Sequence, residues 1–142
     1  MPEANRPDRL SVDRHPMQHM LREALRTRPQ GCRGIFGGAE AGRITHAASS
    51  DEDEAMAILE HSQPDSLGIY YSSHSDHRPD AETIRHIAAE LRLTRPARCI
   101  LLALDTEGRM EALAYRFDGE TFTPLALEMT EDHALSATGA SR

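Results

Sequence analysis

The sequence contains no lysine and no tryptophan, and aromatic residues make up only 4% of its 142 residues. All 16 basic residues are therefore arginines, which excludes Schiff-base chemistry on a lysine of this chain. The scarcity of aromatic side chains argues against a platform that stacks nucleobases. Acidic residues outnumber basic ones and give a net charge of -7, so the overall field also disfavours binding to nucleic acids and to anionic membranes.

Cysteine is also scarce, because Cys32 and Cys99 are the only two and lie far apart in the sequence. They form no CxxC pair and no disulfide framework. No segment resembles a signal peptide or has the length and apolar character of a membrane span, so the default expectation is a cytoplasmic protein. A chain of 142 residues suffices for one domain with a two- or three-layer core.

The periodicity of apolar residues predicts a mixed α/β domain over residues 16–129. A flexible lead-in over residues 1–15 and a disordered tail over residues 130–142 flank it, since both are polar and lack periodicity. The predicted order is helix, two strands, helix, strand, helix and three strands. The helices cover residues 16–28, 49–61 and 81–93, and the strands cover residues 32–38, 43–47, 67–73, 98–104, 111–117 and 121–127.

The loop after the third predicted strand concentrates imidazoles and carboxylates. His74, Asp76 and His77 follow the apolar run 67–73, and Asp80 stands where it would cap the next helix. Imidazole and carboxylate are the side chains that bind zinc, so His74, His77 and Asp80 form one candidate metal site. The alternative interpretation is a solvated polar loop in which Asp80 serves only as the helix cap.

Four segments, taken in order, resemble the JAB/MPN (JAMM) domain family in its short bacterial form. Residues 29–38, Pro-Gln-Gly-Cys-Arg-Gly-Ile-Phe-Gly-Gly, resemble its opening motif of proline, glutamate, a small pair, glycine, apolar residues and glycine. Residues 67–73, Leu-Gly-Ile-Tyr-Tyr-Ser-Ser, resemble the strand that carries its His-Ser-His metal ligands. Residues 79–84 and the closing strands 98–128 fall where the family has its third ligand and its final hairpin.

This resemblance implies a single curved, largely antiparallel sheet flanked by helices, in a layer arrangement similar to that of cytidine deaminase. It also implies a zinc isopeptidase in active members, with two histidines and an aspartate on the metal and a glutamate as general base. Zinc lowers the pKa of its bound water toward roughly 7, and the base moves the proton. Homodimerisation is compatible with the resemblance, and the sequence does not decide it.

The sequence departs from the family pattern at each catalytic position. The base falls on Gly31 and the first histidine on Tyr71. The second histidine falls on Ser73, or on His74 if the loop is shifted by one residue, and the aspartate falls on Thr83 or Ile84. Neither tyrosine nor serine is an ordinary zinc ligand, and glycine has no side chain to accept a proton. The catalytic site is therefore expected to be degenerate, with no cofactor.

The expected function is that of a non-catalytic binding or scaffolding protein rather than an enzyme. In the family, the groove beside the metal takes the extended tail of a ubiquitin-like or sulfur-carrier protein, and this chain is expected to bind such a protein tail without cutting it. The alternative is a zinc-dependent peptidase of the JAMM type, with rearranged ligands His74, His77 and Asp80. A protein partner is implied in either case.

Overall fold

A computed structural model describes residues 9–27, 31–73, 78–93, 96–104 and 107–130. These residues form eight strands, three α-helices and one short 3-10 turn, Pro64–Ser66. The strands are β1 (Arg9–Asp13), β2 (Arg33–Gly37), β3 (Arg43–Ile44), β4 (His46–Ser49), β5 (Gly68–Ser73), β6 (Arg98–Leu104), β7 (Met110–Phe117) and β8 (Phe122–Thr130). The helices are α1 (Arg14–Arg26), α2 (Glu54–His61) and α3 (Ala81–Leu91).

The central strand is β6, whose residues Cys99 to Ala103 are fully buried. This burial on both faces confirms what its continuous apolar run predicts. β6 pairs in parallel with β5, and Ile69 faces Cys99 in that register. A parallel pair needs a crossover connection, which α3 supplies between the two strands. On the other side, β6, β7 and β8 form an antiparallel meander.

The sheet almost closes on itself. Its strand order is β3-β1-β8-β7-β6-β5-β2-β4, and four of its seven pairings are antiparallel. β3 and β4 stand at opposite ends of this order, yet a single residue, Thr45, separates them in the chain. The backbone N–H of Thr45 donates to the carbonyl of Gly37, which draws the two edges together. The predicted single strand 43–47 is thus split into two short strands that bridge the edges.

The first strand corrects the expectation of a flexible lead-in over residues 1–15. Residues 9–13 form β1, which pairs in parallel with both β8 and β3. Leu10 and Val12 are completely buried. The prediction is therefore wrong for residues 9–15. Leu10 and Val12 are the only apolar residues in this segment, and two apolar residues among polar neighbours are too few to indicate a strand. Residues 1–8 lie outside the described part of the chain, as does the predicted tail apart from Thr130, which ends β8.

The helices cover the sheet from both sides. α1 packs on one face over a core that includes Met20, Phe36 and Tyr70. α2 and α3 pack on the other face over a core that includes Ile58, Tyr71 and Ile84. α2 begins at Glu54 rather than near residue 49, because Ser49 still belongs to β4. None of the helices in the described ranges is long and apolar enough to cross a membrane.

The burial of β1 can be tested by truncating one side chain. Leu10→Ala should lower the free energy of unfolding by about 2–5 kcal/mol, because it opens a cavity in a closed core. Leu25→Ala is the matched control, since Leu25 is 48% exposed on α1, and its effect should stay within about 0.5 kcal/mol. Urea denaturation followed by circular dichroism measures both. Equal, small effects would contradict the placement of β1 in the sheet.

Candidate functional site

Two consecutive tyrosines on β5 organise the surroundings of the candidate site. Successive side chains of a strand point to opposite faces, so Tyr70 and Tyr71 enter different cores. Tyr70 is fully buried on the α1 side, and Tyr71 is 7% exposed on the α3 side. The two rings therefore lie on opposite sides of the sheet.

Tyr70 binds a buried carboxylate on α1. Its hydroxyl donates to Oε1 of Glu23 over 2.6 Å, and the hydroxyl of Ser49 donates to Oε2. His19 Nε2 lies 3.5 Å from Oε1. Burial first, and then the hydrogen bond to Glu23, raises the pKa of Tyr70, so the phenol stays protonated and remains a donor. Gly34 makes room for the ring, because a Cβ there would lie 2.5 Å from the tyrosine hydroxyl.

Glu23 is the residue of this region that the sequence reasoning missed. It is 5% exposed, although glutamate is seldom buried unless it is paired. A signal was present in the sequence, because Glu23 stands three residues after Met20 and immediately before Ala24, on the apolar stripe of α1. A lone carboxylate on such a stripe indicates a buried hydrogen-bond partner.

Tyr71 contacts the beginning of α3. Its hydroxyl accepts a hydrogen bond from the backbone N–H of Asp80 over 3.0 Å. Oδ2 of Asp80 in turn accepts from the Thr83 hydroxyl at 2.6 Å and from the Thr83 backbone N–H at 2.9 Å. These two hydrogen bonds, the one from the hydroxyl first, hold the pKa of Asp80 below its ordinary value. The predicted helix cap is therefore confirmed, and the start of α3 is tied to β5.

An open pocket of about 430 Å³ lies between β2, β5 and α3. It brings together three of the four positions that are expected to be degenerate, Gly31, Tyr71 and Thr83. The described residues that line it include Ser72 but not the fourth position, Ser73. Ile84, the alternative to Thr83, is fully buried in the core. The other lining residues are Cys32, Arg33, Asp80, Glu82, His86 and Ile87.

The donor set of this pocket does not suit zinc at the positions that the resemblance indicates. Gly31 has no side chain, and Tyr71 and Thr83 are already joined to Asp80. His74 and His77 lie outside the described residues, as does Asp76, so the rearranged metal site stays a prediction of which the structure places only Asp80. Within the described ranges, no group of three or more His, Cys, Asp or Glu side chains is arranged to hold a metal ion.

Cys32 lines the pocket but is not an activated thiol. Its backbone N–H donates to the hydroxyl of Ser72 over 2.8 Å, and the residue is 8% exposed. Burial raises the pKa of Cys32 to about 11, so the thiol is protonated near neutral pH. The neighbouring Arg33 pairs with Glu90 at 2.9 Å. Cys99, on β6, is a fully buried core residue.

Neither a protein-family model nor a curated protein sequence matches this chain. Solved structures do. A JAB1/MPN domain protein from Archaeoglobus fulgidus is 14% identical, with a TM-score of 0.50 over 86% of this chain and 100% of that chain. A JAMM structure, described as a metalloprotease-like zinc site in the proteasome and signalosome, is 16% identical, with a TM-score of 0.53 over 87% and 99%.

The chain has a JAB/MPN-like fold. A protein from Desulfitobacterium hafniense is also similar, at 14% identity and a TM-score of 0.57 over 86% of this chain and 93% of that chain. The expected mixed α/β architecture, with one curved sheet and flanking helices, is confirmed. At these identities the likeness concerns the JAB/MPN-like fold alone, so the role of each residue depends on the geometry of this chain.

The two tyrosine hydroxyls should contribute unequally to stability. Tyr70→Phe leaves a buried Glu23 oxygen without its donor and should lower the free energy of unfolding by about 1–3 kcal/mol. Tyr71→Phe leaves the partly buried N–H of Asp80 without its acceptor and should lower the free energy of unfolding by about 0.5–1.5 kcal/mol. Both values come from urea denaturation of the purified variants.

Tyr115→Phe is the matched control for this pair. Tyr115 is a half-buried residue of β7 whose ring makes an edge-on contact with Phe122, so removal of its hydroxyl should change the free energy of unfolding by less than about 0.5 kcal/mol. A Tyr71→Phe variant as stable as this control would show that the contact with Asp80 does not hold α3.

Proposed function

We propose that this JAB/MPN-like protein is a non-catalytic binding module whose pocket between β2, β5 and α3 receives an extended protein tail. The observation that carries the proposal is the hydrogen bond between the Tyr71 hydroxyl and the Asp80 backbone N–H. A phenol here makes a direct link between the strand and the helix. In an active JAMM site, as the resemblance implies, a metal ion makes that link.

The position of the general base supports the loss of catalysis. Gly31 has a φ of 93°, a conformation that residues with a side chain rarely adopt. A Cβ at this position would also lie 3.2 Å from the hydroxyl oxygen of Ser72. A carboxylate could therefore return to this position only with backbone strain. Without a base, a bound metal ion would lack the group that moves the proton from water to the leaving amine.

The polar groups of the pocket floor support binding without chemistry. Ser72 accepts from the N–H of Cys32, and the N–H of Ser72 donates to the Cys32 carbonyl. These groups are satisfied by one another, so the floor offers no activated nucleophile. Glu82 and His86 on α3 are exposed at the rim and remain available to the main chain of a bound segment.

The tail of a ubiquitin-like or sulfur-carrier protein is the proposed occupant, on the strength of the resemblance. Such a tail is extended and narrow, which suits an open pocket of about 430 Å³. Binding would use main-chain hydrogen bonds to the pocket walls and would leave the tail intact.

Titration of a fluorescently labelled sulfur-carrier or ubiquitin-like protein tests this function. His86→Trp should weaken binding at least tenfold, or about 1.4 kcal/mol, because the indole fills the rim of the pocket. His61→Trp is the matched control, an exposed histidine on α2 outside the pocket, and should bind as the wild type does.

Mass spectrometry of the labelled protein after incubation completes the experiment. An intact tail, with binding lost only in His86→Trp, is the expected result. Absence of binding by the wild type, or equal binding by the two variants, would contradict the proposed groove. A shortened tail would instead favour the zinc peptidase with ligands His74, His77 and Asp80.

A further inference from the structure

Two arginines face each other at the end of the strands that lies away from the pocket between β2, β5 and α3. Arg98 begins β6 and is paired directly with Arg116 of β7 in the antiparallel register. Arg98 also stands beside Gly68 at the start of β5, four residues before Ser72 of the pocket. At about 3.3 Å per residue of strand, roughly 13 Å separates Arg98 from Ser72 of the pocket.

This arrangement places two cationic side chains next to each other on one face of the sheet. Directly opposed residues of an antiparallel pair have Cβ atoms about 4.5–5.5 Å apart, and like charges at that spacing destabilise the pair. Arg98 is only 7% exposed, and a guanidinium stays charged when it is buried. Burial lowers the pKa of Arg98, Asp65 raises it, and Arg116 lowers it further.

The guanidinium of Arg98 is incompletely satisfied. Its Nε is buried and has no hydrogen-bond partner among the residues that the structure describes. Asp65, in the 3-10 turn before β5, is the acidic group that acts on its charge, but that residue is itself exposed. Buried donors are nearly always paired, so the unpaired Nε leaves the guanidinium of Arg98 short of acceptor oxygens.

We propose that Arg98 and Arg116 form a binding site for a small dianionic oxyanion of the phosphate class. The planar guanidinium donates in a fork that matches the oxygens of phosphate, and two such groups offset two negative charges. Arg116 is partly exposed, so the pair opens to solvent at this end of the strands. The site does not depend on the proposed tail binding, because the two regions share no residue.

Thermal unfolding in phosphate, with chloride at matched ionic strength as the reference, tests the site. Phosphate should raise the melting temperature of the wild type in a saturable manner, since a ligand that binds only the native state stabilises it. Arg98→Gln should weaken the apparent affinity at least tenfold. Arg22→Gln, which alters an exposed arginine on α1, should leave the affinity unchanged. A response of Arg98→Gln equal to that of the wild type would overturn the proposal.

A second variant keeps the test decisive if Arg98→Gln does not fold. Asp65→Asn removes the acidic group near Arg98 and should tighten phosphate binding severalfold, because the competing negative charge is gone. Weaker or unchanged phosphate binding in Asp65→Asn would overturn the site. Acetate, a carboxylate with a single negative charge, is compared with phosphate in the same experiment. Acetate that binds as tightly as phosphate would overturn the assignment to a dianion.

Discussion

The alternation of side chains along β5 is the constraint on which the rest of this structure depends. Because β5 is paired on both sides, neither of its faces can rotate, and Tyr70 and Tyr71 are fixed toward opposite cores. Each phenol then joins a helix to the sheet. Tyr70 binds Glu23 of α1, and Tyr71 binds the first residue before α3. Each ring also buries a large apolar surface, which adds to the stabilising effect of its hydrogen bond.

The hydrogen bond between Asp80 and Tyr71 links β5 to α3 at the edge of the candidate pocket. A zinc ion with ligands on a strand and a helix both activates water and joins those elements. The hydrogen bond from Asp80 N–H to Tyr71 can replace only the second of these roles. A phenol whose ring is buried in the core offers neither an open coordination position nor a Lewis acid.

Sequence patterns predicted the parts of the fold that depend on local or continuous signals. β6 is an unbroken apolar run, and α3 carries its own cap at Asp80, so both were predicted correctly. β1 was missed because only Leu10 and Val12 are apolar, and their burial depends on β8, more than 100 residues later in the chain. The near closure of the sheet at Thr45 depends on pairing at both edges, which no local pattern encodes.

The candidate site shows the same contrast between local sequence signals and contacts between distant segments. The structure brings Gly31, Tyr71 and Thr83 together in one pocket, and their assignment to former catalytic positions stays a prediction. Glu23 was not predicted, because its partners Tyr70 and Ser49 come from distant strands. The pairing of Arg98 with Arg116 was also beyond reach, since it requires the register of two strands rather than their existence.

In the proposed function, the Tyr71 hydroxyl rather than a metal ion holds α3 to β5. Zinc analysis of protein purified without chelator, combined with thermal unfolding before and after treatment with EDTA, tests it most directly. The account predicts far less than one zinc ion per chain and an unchanged melting temperature. Close to one zinc ion per chain, together with a melting temperature that falls by several degrees when the metal is removed, would contradict it.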